Sequence, residues 1–156
     1  MPVTESGQTE ELLTANVIRA TFHRLAARLG TAASLTFHDD GQSETLRLVP
    51  TNPRAVTVSF DYDTDPNGVG EVRFDIAGAD EPVYELSYML ELTEAAVAGR
   101  VVVLEDWLRR EVSITNGCGE VDRHQVTGPL GALMFSRNWR PRARTKIFEP
   151  YQPASG

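Results

Sequence analysis

Between residues 34 and 76 the chain alternates apolar and polar side chains with a period of two, in four runs separated by turn residues. Leu35 and Phe37 alternate with Thr36 and His38, and Leu46 and Leu48 with Thr45 and Arg47. Val56, Val58, Phe60 and Tyr62 alternate with Thr57, Ser59 and Asp61, then Val72, Phe74 and Ile76 with Arg73 and Asp75. Successive side chains of a strand point to opposite faces, so each run describes a strand with one buried and one wet side. Asp39-Asp40-Gly41-Gln42 and Pro66-Asn67-Gly68 supply the residues that tight turns need. Four strands joined this closely predict an antiparallel meander, covered on its apolar face and open to solvent on the other.

A cover for that face is legible upstream. Ala15, Ile18, Phe22, Leu25 and Leu29 recur at spacings of three and four, which predicts a helix over 10–29. Thr9 suits its cap, Glu10 and Glu11 suit the positive end of its dipole, and Gly30 supplies the stop. Leu13, Val17 and Ala20 form a second apolar line on another side of this helix. A helix apolar on two sides either lies deeper in the fold, the commoner cause, or meets a partner.

The span 81–98 fits two periods. Val83, Leu86, Leu90, Thr93 and Val97 match a helical face, whereas Leu86, Tyr88, Leu90 and Leu92 alternate as in a strand. Asp80 as a cap, Pro82 in the first turn and Gly99 as a stop favour the helix. The span also exceeds the roughly 3–10 residues of ordinary strands. Residues 100–105 and 109–115 then read as two strands around Trp107, ending at Asn116-Gly117. Residues 132–139 fit a strand or a short helix, and 145–148 a last short strand. The expected fold is α+β: a mostly antiparallel sheet of about six strands with two main helices on one face. The order is α-β-β-β-β-α-β-β with an irregular C-terminal segment. Residues 1–8 read as a disordered N-terminus, 9–149 as a single domain and 150–156, with Pro150, Pro153 and Gly156, as a frayed end.

The 156 residues suffice for one core that needs no covalent staple. Apolar runs of about 18 residues are missing and the first nine residues are polar, so neither a membrane span nor a signal peptide is expected. One cysteine, Cys118, cannot form an internal disulfide, which suits a reducing cytoplasm. Charge is unevenly placed. Residues 1–136 hold 10 basic against 21 acidic side chains, while 137–156 hold Arg137, Arg140, Arg142, Arg144 and Lys146 against Glu149 alone. An acidic body repels phosphate backbones, which argues against nucleic acid and for basic protein partners or simple solubility. The alternating arginines of the tail suit a strand docked on the acidic sheet, with Glu71 or Asp75 as partners.

Three patterns could carry chemistry. Asp63, Asp65, Asn67 and Gly68 match the first half of a calcium loop, in which alternate oxygens point inward and glycine permits the sharp turn. The twelfth position, which should be a bidentate glutamate, is Phe74, and the same residues serve an ordinary hairpin turn. Cys118, Asp122 and His124 supply the residue types of a thiol nucleophile, an orienting acid and a base. No helix N-terminus stands by to activate the thiol, so a turn cysteine is the expectation. His23, His38 and His124 lie on different elements without metal-ligand spacing, and phosphate-binding glycine loops are missing. No cofactor is therefore expected. On the wet face, Asp61, Glu71 and Asp75 mark an acidic surface.

In size, charge and α+β pattern over its whole length, the chain resembles the small acidic immunity proteins that bacteria pair with toxins. The resemblance implies a cytoplasmic, non-enzymatic module that binds and occludes a partner protein, with Leu13, Val17, Asp61, Glu71 and Asp75 as our candidate contacts. A homo-oligomer stays open. The alternative is a small-molecule-binding or enzymatic domain with a pocket between sheet and helices.

Overall fold

The structure, a computed structural model, describes residues 12–127 and 140–152. The expected N-terminal disorder, the Thr9 cap and the segment 132–139 lie outside them. Helix α1 spans Ala15–Leu29. It starts later than the apolar period suggests, because Thr14 is the cap: its Oγ1 accepts from the Val17 N–H at 3.2 Å. Gly30, at φ +57°, ends it as expected. The buried stripe is Ala15, Ile18, Phe22, Leu25 and Leu29, as the spacing predicts.

Under α1 lies an antiparallel meander of β1 (Ala33–Asp39), β2 (Ser43–Pro50), β3 (Val58–Asp63), β4 (Val72–Ile76) and β5 (Ala79–Val83), in that spatial order. Register pairs Leu46 with Phe60 and Phe60 with Phe74, so one apolar row crosses the sheet. Phe22 of α1 meets Phe60 with ring centroids 5.5 Å apart. Each fully buried side chain of this kind contributes about 1.5–3 kcal/mol.

β5 corrects the expected start of the second helix. Ala77 and Gly78, both at positive φ, make a two-residue hairpin turn, and Asp75 Oδ1 accepts from the Gly78 N–H at 3.1 Å. Asp80 and Pro82 therefore belong to an edge strand, where the missing proline N–H is tolerated. Helix α2 is the shorter Leu86–Val97, and its buried side is Met89, Leu92, Thr93, Ala95 and Ala96. That side is rotated from the expected Leu86, Leu90 and Val97, which are half-buried.

The C-terminal half forms a second antiparallel sheet rather than extending the first. Its strands are β6 (Val101–Glu105), β7 (Arg109–Thr115), β8 (Val121–Thr127) and β9 (Arg144–Ile147), in the order β8-β7-β6-β9. Helix α2 packs against β7, and β5 of the first sheet meets β8 of the second. The basic tail docks as β9 on β6, not on the acidic sheet face. Arg140 reaches Glu111 at 2.8 Å, so neither Glu71 nor Asp75 is its partner.

Beyond β9 the chain is anchored through Tyr151, and 153–156, the rest of the end expected to fray, lie outside the described residues. Tyr151 is buried; its N–H donates to the Val97 carbonyl at 3.0 Å and its hydroxyl to that of Val56 at 2.7 Å. Burial pushes the Tyr151 phenol pKa up. Pro150 packs on Gly99 so closely that a Cβ there would lie 2.6 Å from the Pro150 nitrogen. Gly99 thus serves both as the helix stop and as the only residue type that admits this strap.

Candidate functional site

The uncovered face of the first sheet carries the acidic residues expected there. Asp61, Asp63 and Asp75 are exposed and alternate with buried Phe60, Tyr62, Phe74 and Ile76. Arg73 is held by Asp80 at 2.9 Å and by Glu71 at 3.2 Å, and Asp61 accepts from the Thr45 hydroxyl. The β1–β2 and β3–β4 connections meet at one end of the sheet, where the Thr64 N–H donates to the Gln42 carbonyl at 3.2 Å. This contact gathers exposed Asp39, Asp40, Asp63 and Asp65 at the same end. Leu12, 62% exposed, lies there against Gly68.

Leu13 and Val17 do not form a helical ridge. Leu13 precedes α1, is half-buried against the core, and its carbonyl accepts from the Val69 N–H at 2.8 Å. Val17 is half-buried and Ala20 exposed. The half calcium loop is shaped by its own hydrogen bonds. Asp65 Oδ1 accepts from the Asn67 N–H at 2.9 Å, which turns that carboxylate back on its loop. Among the described residues, no group of three or more His, Cys, Asp or Glu gathers to hold a metal.

Cys118, Asp122 and His124 do not act together. Cys118 is exposed in the β7–β8 turn, where its N–H donates to Asn116 Oδ1 at 2.9 Å. Asp122 accepts from the Tyr88 hydroxyl at 3.1 Å, and that phenol is pushed up to about 12 by burial and the Asp122 charge. His124 is buried on β8 with its ring edge-on to Phe74, centroids 5.4 Å apart.

Sequence reasoning missed three polar clusters. Glu44, only 2% exposed, receives Arg19 Nε at 2.8 Å on Oε1 and the Tyr62 hydroxyl at 2.6 Å on the same oxygen. Arg19 beside it holds the Glu44 carboxyl below the usual range against the opposing effect of burial. On the second sheet Glu111, equally buried, is held low chiefly by Arg140, and Gln125 also donates to it. Both carboxylates are satisfied by their partners and fasten elements together. Glu44 is in phase with Leu46 and Leu48, and a charge in an apolar row was the available signal.

The third cluster lies at the seam between the sheets. A cavity of about 230 Å³ is lined by Gly78, Ala79, Asp80, Glu81, His124, Gln125 and Val126. Glu81 Oε2 lies 2.8 Å from His124 Nδ1 but off the direction of its hydrogen. Neither ring nitrogen has a hydrogen-bond partner among the described residues. A larger cleft of about 390 Å³ between the β2–β3 connection and the end of α1 is lined by Thr31, Ala32, Thr51, Asn52, Tyr151 and Gln152. Several of its polar groups are spent internally: Thr51 Oγ1 donates to the Thr31 carbonyl and Asn52 Nδ2 to Glu149.

Compared with known proteins, the chain matches no family model, no curated protein and no solved structure. No described helix is long and apolar enough to cross a membrane. The candidate site therefore rests on geometry alone.

Proposed function

We propose that the chain is a protein-binding module, immunity- or adaptor-like, that occludes a basic partner with the acidic end of its first sheet. The observation that carries this reading is the convergence of two hairpin connections, which brings exposed Asp39, Asp40, Asp63 and Asp65 to one end of the sheet, where exposed Leu12 lies against Gly68. Carboxylates gathered this way speed the encounter with a positive surface, and an apolar side chain beside them supplies contact area. Asp61, Glu71 and Asp75 continue the exposed face of Asp63 along β3 and β4.

Affinity capture from the native host tests the reading. The intact chain should retain one stoichiometric partner whose association slows as salt rises. The triple variant Asp61→Asn, Asp63→Asn, Glu71→Gln should stay folded and bind more slowly. A partner bound equally by both forms, or none at all, refutes it. A small-molecule site is the second reading, favoured by the seam cavity with its buried, unpartnered imidazole.

A further inference from the structure

Buried polar groups in folded chains are almost always hydrogen-bonded, and leaving one unpaired costs about 1–3 kcal/mol. His124 breaks that rule: it is 6% exposed, faces the seam cavity, and has neither ring nitrogen hydrogen-bonded. Its ring is held edge-on by Phe74, so it cannot swing away without losing that contact. Both ring nitrogens are buried without a hydrogen bond, which leaves them capacity that a ligand in the cavity could use.

Charge decides what enters. Of the nearby guanidiniums, Arg73 is paired with Asp80 and Glu71, while Arg110, which stands over Gly78, lies 3.5 Å from Glu105 with its buried Nε left without a hydrogen bond. Among the described residues Glu81 has no Arg or Lys partner, and its Oε2 lies 2.8 Å from His124 Nδ1. Its field also reaches Tyr88 across the seam, together with those of Asp122 and Glu91. That leaves the Glu81 carboxylate able to take a cation from outside. The cavity, at about 230 Å³, has room for several non-hydrogen atoms. That is more than a bare ion fills, and only one imidazole and one uncommitted carboxylate are present to ligate a metal.

We propose that this cavity binds a primary ammonium group on a short alkyl chain. The ammonium has three donors on a compact charge. One would go to Glu81 Oε2 and one to an imidazole nitrogen of His124, while the alkyl stem lies along Ala79 and Val126. Such a group comes either from a free small amine or from a lysine side chain of a partner protein. The inference rests on the second reading above, that the cavity is a ligand site, and not on the acidic end of the first sheet.

The test is a titration of the full chain followed by the imidazole NMR signals of its three histidines. With n-butylammonium, the His124 signals should shift saturably with a dissociation constant near about 1 mM, as expected for so few atoms. His23 and His38, exposed elsewhere, should not move. Glu81→Gln should weaken binding at least tenfold, and Asp61→Asn, on the other face, should leave it unchanged. Tighter binding of a blocked Gly-Lys-Gly peptide than of butylammonium assigns the group to a protein partner, and the reverse order assigns it to a free amine. If zinc or acetate moves His124 and butylammonium does not, the cavity is a ligand site but the ammonium assignment is wrong. If no probe moves it, or tetramethylammonium and sodium chloride move it as much, the ligand site itself is refuted.

Discussion

Replacing Arg19 with methionine isolates the contact that fastens α1 to the first sheet. Methionine keeps most of the apolar stem and removes only the charged head. In the intact chain Glu44 is 2% exposed and takes its main compensation from Arg19 Nε, at 2.8 and 3.0 Å from its two oxygens. Breaking a buried pair costs about 3–5 kcal/mol. Arg19 is itself 36% exposed, so solvent screens the pair and about 2 kcal/mol is the expected loss at pH 7. The pH dependence has a definite sign. The folded-state pKa of Glu44 lies below its unfolded value, chiefly through Arg19. The contribution is therefore complete above the unfolded carboxylate pKa and is lost as pH falls through the folded one. Urea denaturation followed by circular dichroism at pH 7 and near pH 3 measures both ends. The difference between Arg19→Met and the intact chain should shrink towards zero at the acid end. Adding Glu44→Leu should recover most of the loss at pH 7, since an apolar pair replaces a half-removed ionic one. A deficit below about 0.5 kcal/mol at pH 7, or one that is the same at both pH values, refutes the assignment.

Gly99→Ala should destabilise the chain by about 2–4 kcal/mol, from the left-handed backbone at φ +74° and the displacement of Pro150. Thermal unfolding within about half a kcal/mol of the parent would show that the C-terminal strap is not needed. Cys118→Ser should change stability by less than about 0.5 kcal/mol, because the exposed turn is clamped by Asn116 rather than by the thiol. Fast thiol labelling at pH 6 would contradict a passive role, since it requires a depressed pKa.

How much could be read from the sequence follows from where apolar alternation survives. β2 to β4 bury every second residue, as at Val58, Phe60 and Tyr62, and β1 half-buries Leu35 and Phe37, so period and wet face were both legible. The stop of α1 at Gly30 was legible for the same kind of reason, since few residues other than glycine adopt that backbone. Its start was not, because Leu13 continues the helical spacing while Thr14 has already capped the helix. The turn before β5 uses Ala77 at φ +56°, a residue that carries no turn signal. The docking of Tyr151 has no local signature either, because its partners Val56 and Val97 lie far away along the chain.

The two strands that escaped the sequence reading, β5 and β8, are the two that bound the seam cavity. This is one cause acting twice. On β5 the inward row runs Ala79, Glu81, Val83, and on β8 it runs Asp122, His124, Val126, so polar side chains stand where the period demands apolar ones. Those substitutions erase the strand pattern and, in the folded chain, meet one another: Glu81 reaches His124 across the two sheets. Glu44 shows what a structural exception looks like, a charge in an apolar row with every oxygen answered by Arg19 or Tyr62. His124 has Glu81 beside it, yet neither ring nitrogen is hydrogen-bonded. Local rules fail in folded proteins mainly where strain or function overrides stability. A broken pattern whose buried polar group stays unsatisfied therefore points to the seam, more sharply than any motif along the chain.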